Sequence, residues 1–265
     1  MELLQVDMEL CVRCGVCTHV CPKVIISQGD DGAPAECANA AAMCIRCNQC
    51  VAICPTGALG TIHAVPAEGM TVTHAKVDHD EVMQLFGMRR SVRSYLPEPI
   101  APDEMDRLLE VANMAPSASN IRPVEWVVIE GRENLDRVIE LCIGRMRLDE
   151  RYADYVSAYE NDGNDVVLRG CTSLAVAHAR NDLVWGGVDC AIAATHLELA
   201  ASMRGYGACW GGIVMSCAAA SEELRDALHL PEGHAARAVL MLGRPALKYA
   251  RTAPREPAKV AFVRP

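Results

Sequence analysis

Aromatic side chains are scarce in this chain of 265 residues, at 4% of the whole. A core built on stacked rings is therefore excluded. The many Ala, Met and Cys within a hydrophobic fraction of 51% fit an ordered, Ala-rich helical core instead. Positive charge is also in short supply. The net charge of −9 gives a nucleic-acid or anionic-membrane partner no electrostatic support. No run of about 18 apolar residues occurs, so no membrane span is expected. The richest apolar stretch, Gly205 to Ala220, is interrupted by four glycines. The opening MELLQVDMEL lacks a basic start followed by an apolar run, so no secretory signal is expected. No Gly-x-Gly-x-x-Gly turn opens a helix after a strand, which leaves a Rossmann nicotinamide site unsupported.

What the chain has in abundance is cysteine, fourteen in all. Eight fall in two regular runs, Cys11, Cys14, Cys17, Cys21 and Cys44, Cys47, Cys50, Cys54. Six do not: Cys37, Cys142, Cys171, Cys190, Cys209 and Cys217. A disulfide framework belongs to small secreted chains and does not suit this one. A cytoplasmic setting with little oxygen is the expectation. Both runs read C-x2-C-x2-C-x3-C-P, and CVRCGVCTHVCP and CIRCNQCVAICP form an internal repeat. Thiolates at two-residue gaps can wrap an iron–sulfur cube with backbone N–H groups turned toward the sulfurs. Zinc uses C-x2-C pairs separated by a longer gap rather than triplets, and inert buried thiols need no spacing at all.

This half of the chain resembles the bacterial two-cluster ferredoxins, in which the fourth cysteine of each run serves the other cluster. The resemblance implies one [4Fe–4S] cluster on Cys11, Cys14, Cys17 and Cys54, and a second on Cys44, Cys47, Cys50 and Cys21. Pro22 and Pro55 would turn the chain after each fourth ligand. Cys37 lies outside the pattern and is expected to be a small buried residue.

Three segments follow from texture: a Cys-dense, turn-rich domain over 1–62, a connector over 63–80 with little periodicity, and a second domain over 81–265. In the last, Asp103 to Met114 follows Pro102 with Met105, Leu108, Leu109 and Ala112 on one face, as an amphipathic helix with a proline start would. Trp126 to Ile129 reads as a short buried strand, Leu174 to Ala179 as a strand made ambiguous by its alanines, and Ala238 to Leu242 as a third. Residues 188–204 form a helix that is apolar nearly all round, suited to a core or an oligomer interface. Interleaved helices and strands make this domain α+β or α/β.

Two basic groupings stand out against the acidic whole. Arg89, Arg90 and Arg93 lie within RRSVRSY, and residues 244–264 carry six Lys or Arg against Glu256 alone. Arginines from separate segments can converge on a phosphate, which guanidinium binds bidentately. A solvated basic face is the plainer reading of charge alone. RRSVRSY, APSASNIRPVEW (115–126), GYGACWGG (205–212) and LGRPALKYARTAPR (242–255) occur in that order. Together they resemble the FMN-binding nitroreductase family, and the whole chain resembles its ferredoxin-fused members. The resemblance implies an α+β fold with an antiparallel-type sheet, and an intertwined homodimer with FMN at each interface. It puts Arg89, Arg90 and Ser91 at the FMN phosphate and ribityl, and Arg93 near the pyrimidine edge. Pro116, Ser117, Ala118 and Asn120 would reach FMN from the partner subunit. Gly211 and Gly212 would bring backbone N–H close to the flavin, and Arg251 and Arg255 would bind phosphate. Arg122 stands where the family usually has glutamine, and Trp126 follows Pro123 by three residues rather than one.

Among the remaining candidates, His178 is expected to be a satisfied core or rim histidine rather than a proton donor. His196 is expected to pack at an interface, and Cys209 to pack beside Trp210. Tyr152, Tyr155 and Tyr159 recur at helical spacing and would either lid a flavin pocket or pack on the ferredoxin half. The expected activity is an FMN-dependent oxidoreductase that passes electrons through two [4Fe–4S] clusters to FMN and on to an electron-poor small molecule: a nitroaromatic, activated alkene or quinone. A ferredoxin or NAD(P)H would be the donor. The competing class is a non-catalytic flavin and iron–sulfur module that relays electrons to a protein partner.

Overall fold

The computed structural model describes residues 2–66 and 77–264; residues 67–76 of the expected connector lie outside the described residues. The chain divides into one unit of Met1–Lys76 with Ser119–Ile121, and a second of Val77–Ala118 with Arg122–Pro265.

In the first unit the sequence repeat is also a conformational repeat. Arg13 and Gly15 have positive φ (56° and 71°), and so do the equivalent Arg46 and Asn48 (54° and 55°). Left-handed backbone at alternate residues curls each Cys-x-x-Cys-x-x-Cys run into a tight loop. The elements are β1 (Leu4–Val6), α1 (Val16–Val20), β2 (Ile26–Gln28), β3 (Pro34–Glu36), α2 (Ala40–Met43), α3 (Gln49–Ala52) and β4 (Leu59–Thr61). β1 pairs antiparallel with β4, and β2 with β3, so the two ends of the unit are tied together. Leu3, Ile25, Ile26 and Ala40 make a small core. Glu36 Oε2 accepts from the N–H groups of Leu3 and Leu4 at 2.7 and 2.8 Å, anchoring the first strand to β3. Cys37 departs from expectation. It is exposed, because its N–H is used by the Ile25 carbonyl while its side chain turns outward.

The second unit contains α4 (His79–Met88), α5 (Pro102–Asn113), β5 (Glu125–Glu130), α6 (Arg132–Met146), α7 (Ala153–Asp162), β6 (Ser173–Arg180), α8 (Gly186–Met203), β7 (Gly207–Trp210), α9 (Gly212–Ala220), α10 (Glu222–Ala227) and β8 (His234–Gly243). Its sheet runs β5-β6-β8-β7 with every pair antiparallel. This is an α+β arrangement, and the ambiguous alanine-rich segment is its buried second strand.

Strand periodicity of two sorts the side chains onto two faces. Leu174 and Val176 of β6, with Val239 and Met241 of β8, join a core with α6, α9 and α10. Ala175, Ala177 and Ala179 point the other way, toward α5 and α8. Those small side chains let α8 lie close to the sheet, and α8 answers with Ala194, Ala200 and Ala201. The Ala-rich core read from composition is this layer. Tyr152 and Tyr159 pack against the first of these cores, so their spacing serves packing within their own unit. No helix among the described residues is long and apolar enough to cross a membrane.

Candidate functional site

Two cavities of about 380 Å³ each lie in the first unit. One is lined by Cys11, Cys14, Cys17 and Cys54, with Pro55 and Thr56. The other is lined by Cys21, Cys44, Cys47 and Cys50, with Pro22. Each cavity thus gathers three cysteines of one run and the fourth of the other. The β1–β4 and β2–β3 ladders produce the exchange by folding the end of each run back beside the start of its partner.

The thiols show what such a cavity demands of its occupant. Burial pushes the Cys50 thiol up to about 11, with Cys47, Cys21 and Cys44 adding to the rise. Burial likewise raises Cys17. Clustered thiolates in an apolar pocket need a cationic centre among them, which iron supplies. At Cys54 burial raises the thiol but is outweighed by hydrogen bonds from Thr56 and from the backbone at Leu59, Thr56 and Ala58, so the net shift is downward. Donors aimed at a ligand sulfur are what a cluster site requires. The cysteine chemistry fits two iron–sulfur clusters.

In the second unit an isolated parallel bridge joins Ser91 to Ala208, and an antiparallel one joins Tyr95 to Pro245. The Val92 N–H donates to the Ala208 carbonyl at 2.9 Å, and the Leu96 N–H to the Arg244 carbonyl at 2.8 Å. RRSVRSY therefore runs along the edge strand β7 and the start of the basic C-terminal stretch. Gly207 permits this, since a Cβ there would lie 2.8 Å from three side-chain carbons of Val92. The Tyr95 hydroxyl donates to the Val92 carbonyl at 2.7 Å, and burial holds that phenol well above its usual range.

The three segments enclose a cavity of about 550 Å³, lined by Arg89, Arg90, Glu198, Tyr206, Gly207 and Tyr249 among others. Arg89 Nη1 donates to Glu198 Oε1 at 2.9 Å, so its charge is met by a buried carboxylate from α8. Arg90 donates to the carbonyl of Arg251 at 3.1 Å and lies over the Tyr249 ring, and Arg93 donates to the Ser91 carbonyl at 3.3 Å. Both of these arginines donate to neutral backbone oxygens. Arg251 and Arg255 are exposed in the extended C-terminal stretch; the backbone of Arg251 is the one tied to the cavity.

The two loop glycines differ. The Gly211 N–H donates to the Val239 carbonyl at 2.8 Å, and a Cβ on Gly211 would meet Val239 Cγ1 at 2.9 Å. Its close approach is to β8. Gly212 begins α9 with open space at its Cβ position, and its N–H is among those at a helix start without an intrahelical acceptor.

Pro116 and Ser117 do not join this cavity. They line a separate one of about 690 Å³ with Arg122, Trp126 and Asp189. The Ala118 N–H donates to the buried Asp189 at 3.0 Å, and Ser117 Oγ accepts from the Arg122 N–H at 2.9 Å. Ser119–Ile121 group with the first unit, where the Asn120 carboxamide donates to the carbonyls of Ile45 and Arg46 at 3.2 and 3.0 Å.

Glu198 and Asp189 were not anticipated. Their signal was available, as acids within an otherwise apolar helix that must be paired if buried. Cys209 is buried in the core, as expected. His196 hydrogen-bonds the Ile192 carbonyl of its own helix at 2.9 Å. His178 is buried with its Nδ1 2.9 Å from that of His234; burial lowers its pKa.

Comparison with known proteins places these observations in context. The sequence pattern of the nitroreductase family matches residues 87–244, and that of the 4Fe-4S dicluster domain matches residues 10–59. An FMN reductase [NAD(P)H] of Bacillus subtilis is 26% identical over 65% of this chain and 69% of its own length. A putative NADH dehydrogenase/NAD(P)H nitroreductase of Methanothermobacter thermautotrophicus is 30% identical over 64% and 81% respectively. Among solved structures, an FMN-bound nitroreductase from Bacteroides fragilis superposes with a TM-score of 0.60 at 22% identity, covering 69% of this chain and 99% of that one. One from Desulfitobacterium hafniense, also FMN-bound, gives 0.61 at 20%, covering 69% and 97%. Both likenesses establish the fold of the second unit.

Proposed function

The chain belongs to the nitroreductase family and carries a 4Fe-4S dicluster domain ahead of it, and from that premise we propose an FMN-dependent oxidoreductase with its own iron–sulfur electron supply. The observation that carries this reading is the meeting of RRSVRSY, GYGACWGG and the basic C-terminal stretch around one cavity, where Arg90 has no carboxylate partner among the described residues.

FMN supplies, when bound, the exchange between the single electrons that clusters carry and two-electron chemistry on a substrate. The protein's residues do the rest. Cys11, Cys14, Cys17 and Cys54 hold one cluster, and Cys44, Cys47, Cys50 and Cys21 the other. Arg90, with Arg251 in preference to Arg255, would take the phosphate, while Glu198 fixes Arg89 beside them and Arg93 is left for the pyrimidine edge. Ser91 is held against β7 by its bridge to Ala208. The Gly212 N–H, without an intrahelical acceptor, would be the one available to a flavin, since that of Gly211 is already used.

The 115–117 segment lines a different cavity, which supports a homodimer in which this segment of one subunit completes the site of the other. Exposed Val184, Trp185 and Val188, at and just before the start of α8, give a second copy apolar surface to cover. NAD(P)H is the donor class named for the relatives, and a ferredoxin is the donor that suits the clusters. The acceptor is an electron-poor small molecule of the nitroaromatic, activated-alkene or quinone kind.

Arg90→Ala tests the site. Purified anaerobically, the variant is expected to lose FMN while its iron content and cluster absorbance match the wild type; full flavin retention would contradict the phosphate role.

A further inference from the structure

Glu125 of β5, His178 of β6 and His234 of β8 come from strand positions that bring their ligating atoms within 4.8 Å of one another. Glu125 and His178 are direct cross-strand partners. The register between β6 and β8 shifts between Ala177 and His178, after which Arg180 pairs with His234. Such an irregularity re-aims a side chain, and here it leaves the buried His178 ring facing that of His234.

The two Nδ1 atoms stand 2.9 Å apart. Two imidazole lone pairs at that distance repel unless something positive sits between them, either a proton or a metal ion. With metal–nitrogen bonds of about 2.0–2.1 Å, that separation subtends roughly 90° at a shared ion, as two cis positions of a six-coordinate ion do and somewhat less than the tetrahedral angle. A carboxylate in reach adds a third, anionic ligand, which a hydrogen-bonded histidine pair does not require.

We propose that Glu125, His178 and His234 form a binding site for a divalent transition-metal ion, with water in its remaining positions. Two imidazoles and one carboxylate are a ligand set suited to zinc and its neighbours rather than to calcium or magnesium. His234 also lines an open cleft with Glu222, Asp226 and Arg237, which gives the ion an entry path. Bound there, the ion joins the ends of three strands.

The test uses cluster-loaded protein stripped of loose metal, incubated with zinc, desalted and counted for zinc and iron. About one zinc per chain is expected, with iron unchanged, so that occupation of the cysteine sites is excluded. His234→Ala and Glu125→Gln, which leave the buried His178 in place, should each lose that zinc while keeping their iron. Wild-type protein that retains no zinc, or either variant that retains it, would overturn the proposal and leave a hydrogen-bonded histidine pair.

Discussion

Gly207 and Val92 meet where no side chain could be added without displacing the neighbour. Val92 is β-branched and stiff at χ1, so it cannot swing aside. Gly207→Ala should therefore lift RRSVRSY off β7, at a cost of about 1–3 kcal/mol typical of overpacking. Denaturant midpoints with and without added FMN check this: the variant should be less stable and gain less from the flavin. At this scale the sequence discloses chemistry better than company. The eight regular cysteines and the arginines of RRSVRSY can be picked out from residue type and spacing. The partners Glu198 and His234 cannot, because they lie more than fifty residues from Arg89 and His178 and are brought near only by helix packing and strand register. Cys37 is exposed for a related reason, since a free thiol's usual burial says nothing about which way one turn points it.

Among elements, α5 and α8 are the best specified by sequence. Pro102 sets the start of α5, and its apolar stripe of Met105, Leu108 and Ala112 packs toward α8 and the alanine face of the sheet. Leu108 is fully buried there. Leu108→Ala is expected to cost about 2–5 kcal/mol, read as a lower denaturant midpoint with an unchanged slope. β7 was not visible beforehand, being four residues with a glycine inside a stretch that reads as uniformly apolar. α6 had no assignment either, although Leu135, Val138, Ile139, Cys142, Ile143 and Met146 recur at helical spacing. β7 matters most for function, because its edge is where RRSVRSY docks.

For the whole molecule, an acidic chain gathers eight cysteines around two cavities and sets Arg89 and Arg90 on a third. Composition alone favoured a solvated basic face. The six Lys and Arg of residues 244–264 are indeed exposed, while the Tyr95–Pro245 bridge ties the start of that stretch to RRSVRSY. Each half of the chain had a sequence signature of its own, but nothing local records which cysteine folds back to which cavity. The central claim is that the clusters deliver electrons to the flavin. Its most direct measurement is anaerobic stopped-flow reduction of bound FMN by a reduced ferredoxin, comparing the wild type with Cys11→Ala and Cys44→Ala variants that retain flavin. Flavin reduction by ferredoxin should be fast in the wild type and largely lost in the variants, while any reduction by NAD(P)H persists. Equal rates of ferredoxin-driven flavin reduction in wild type and variants would contradict the claim.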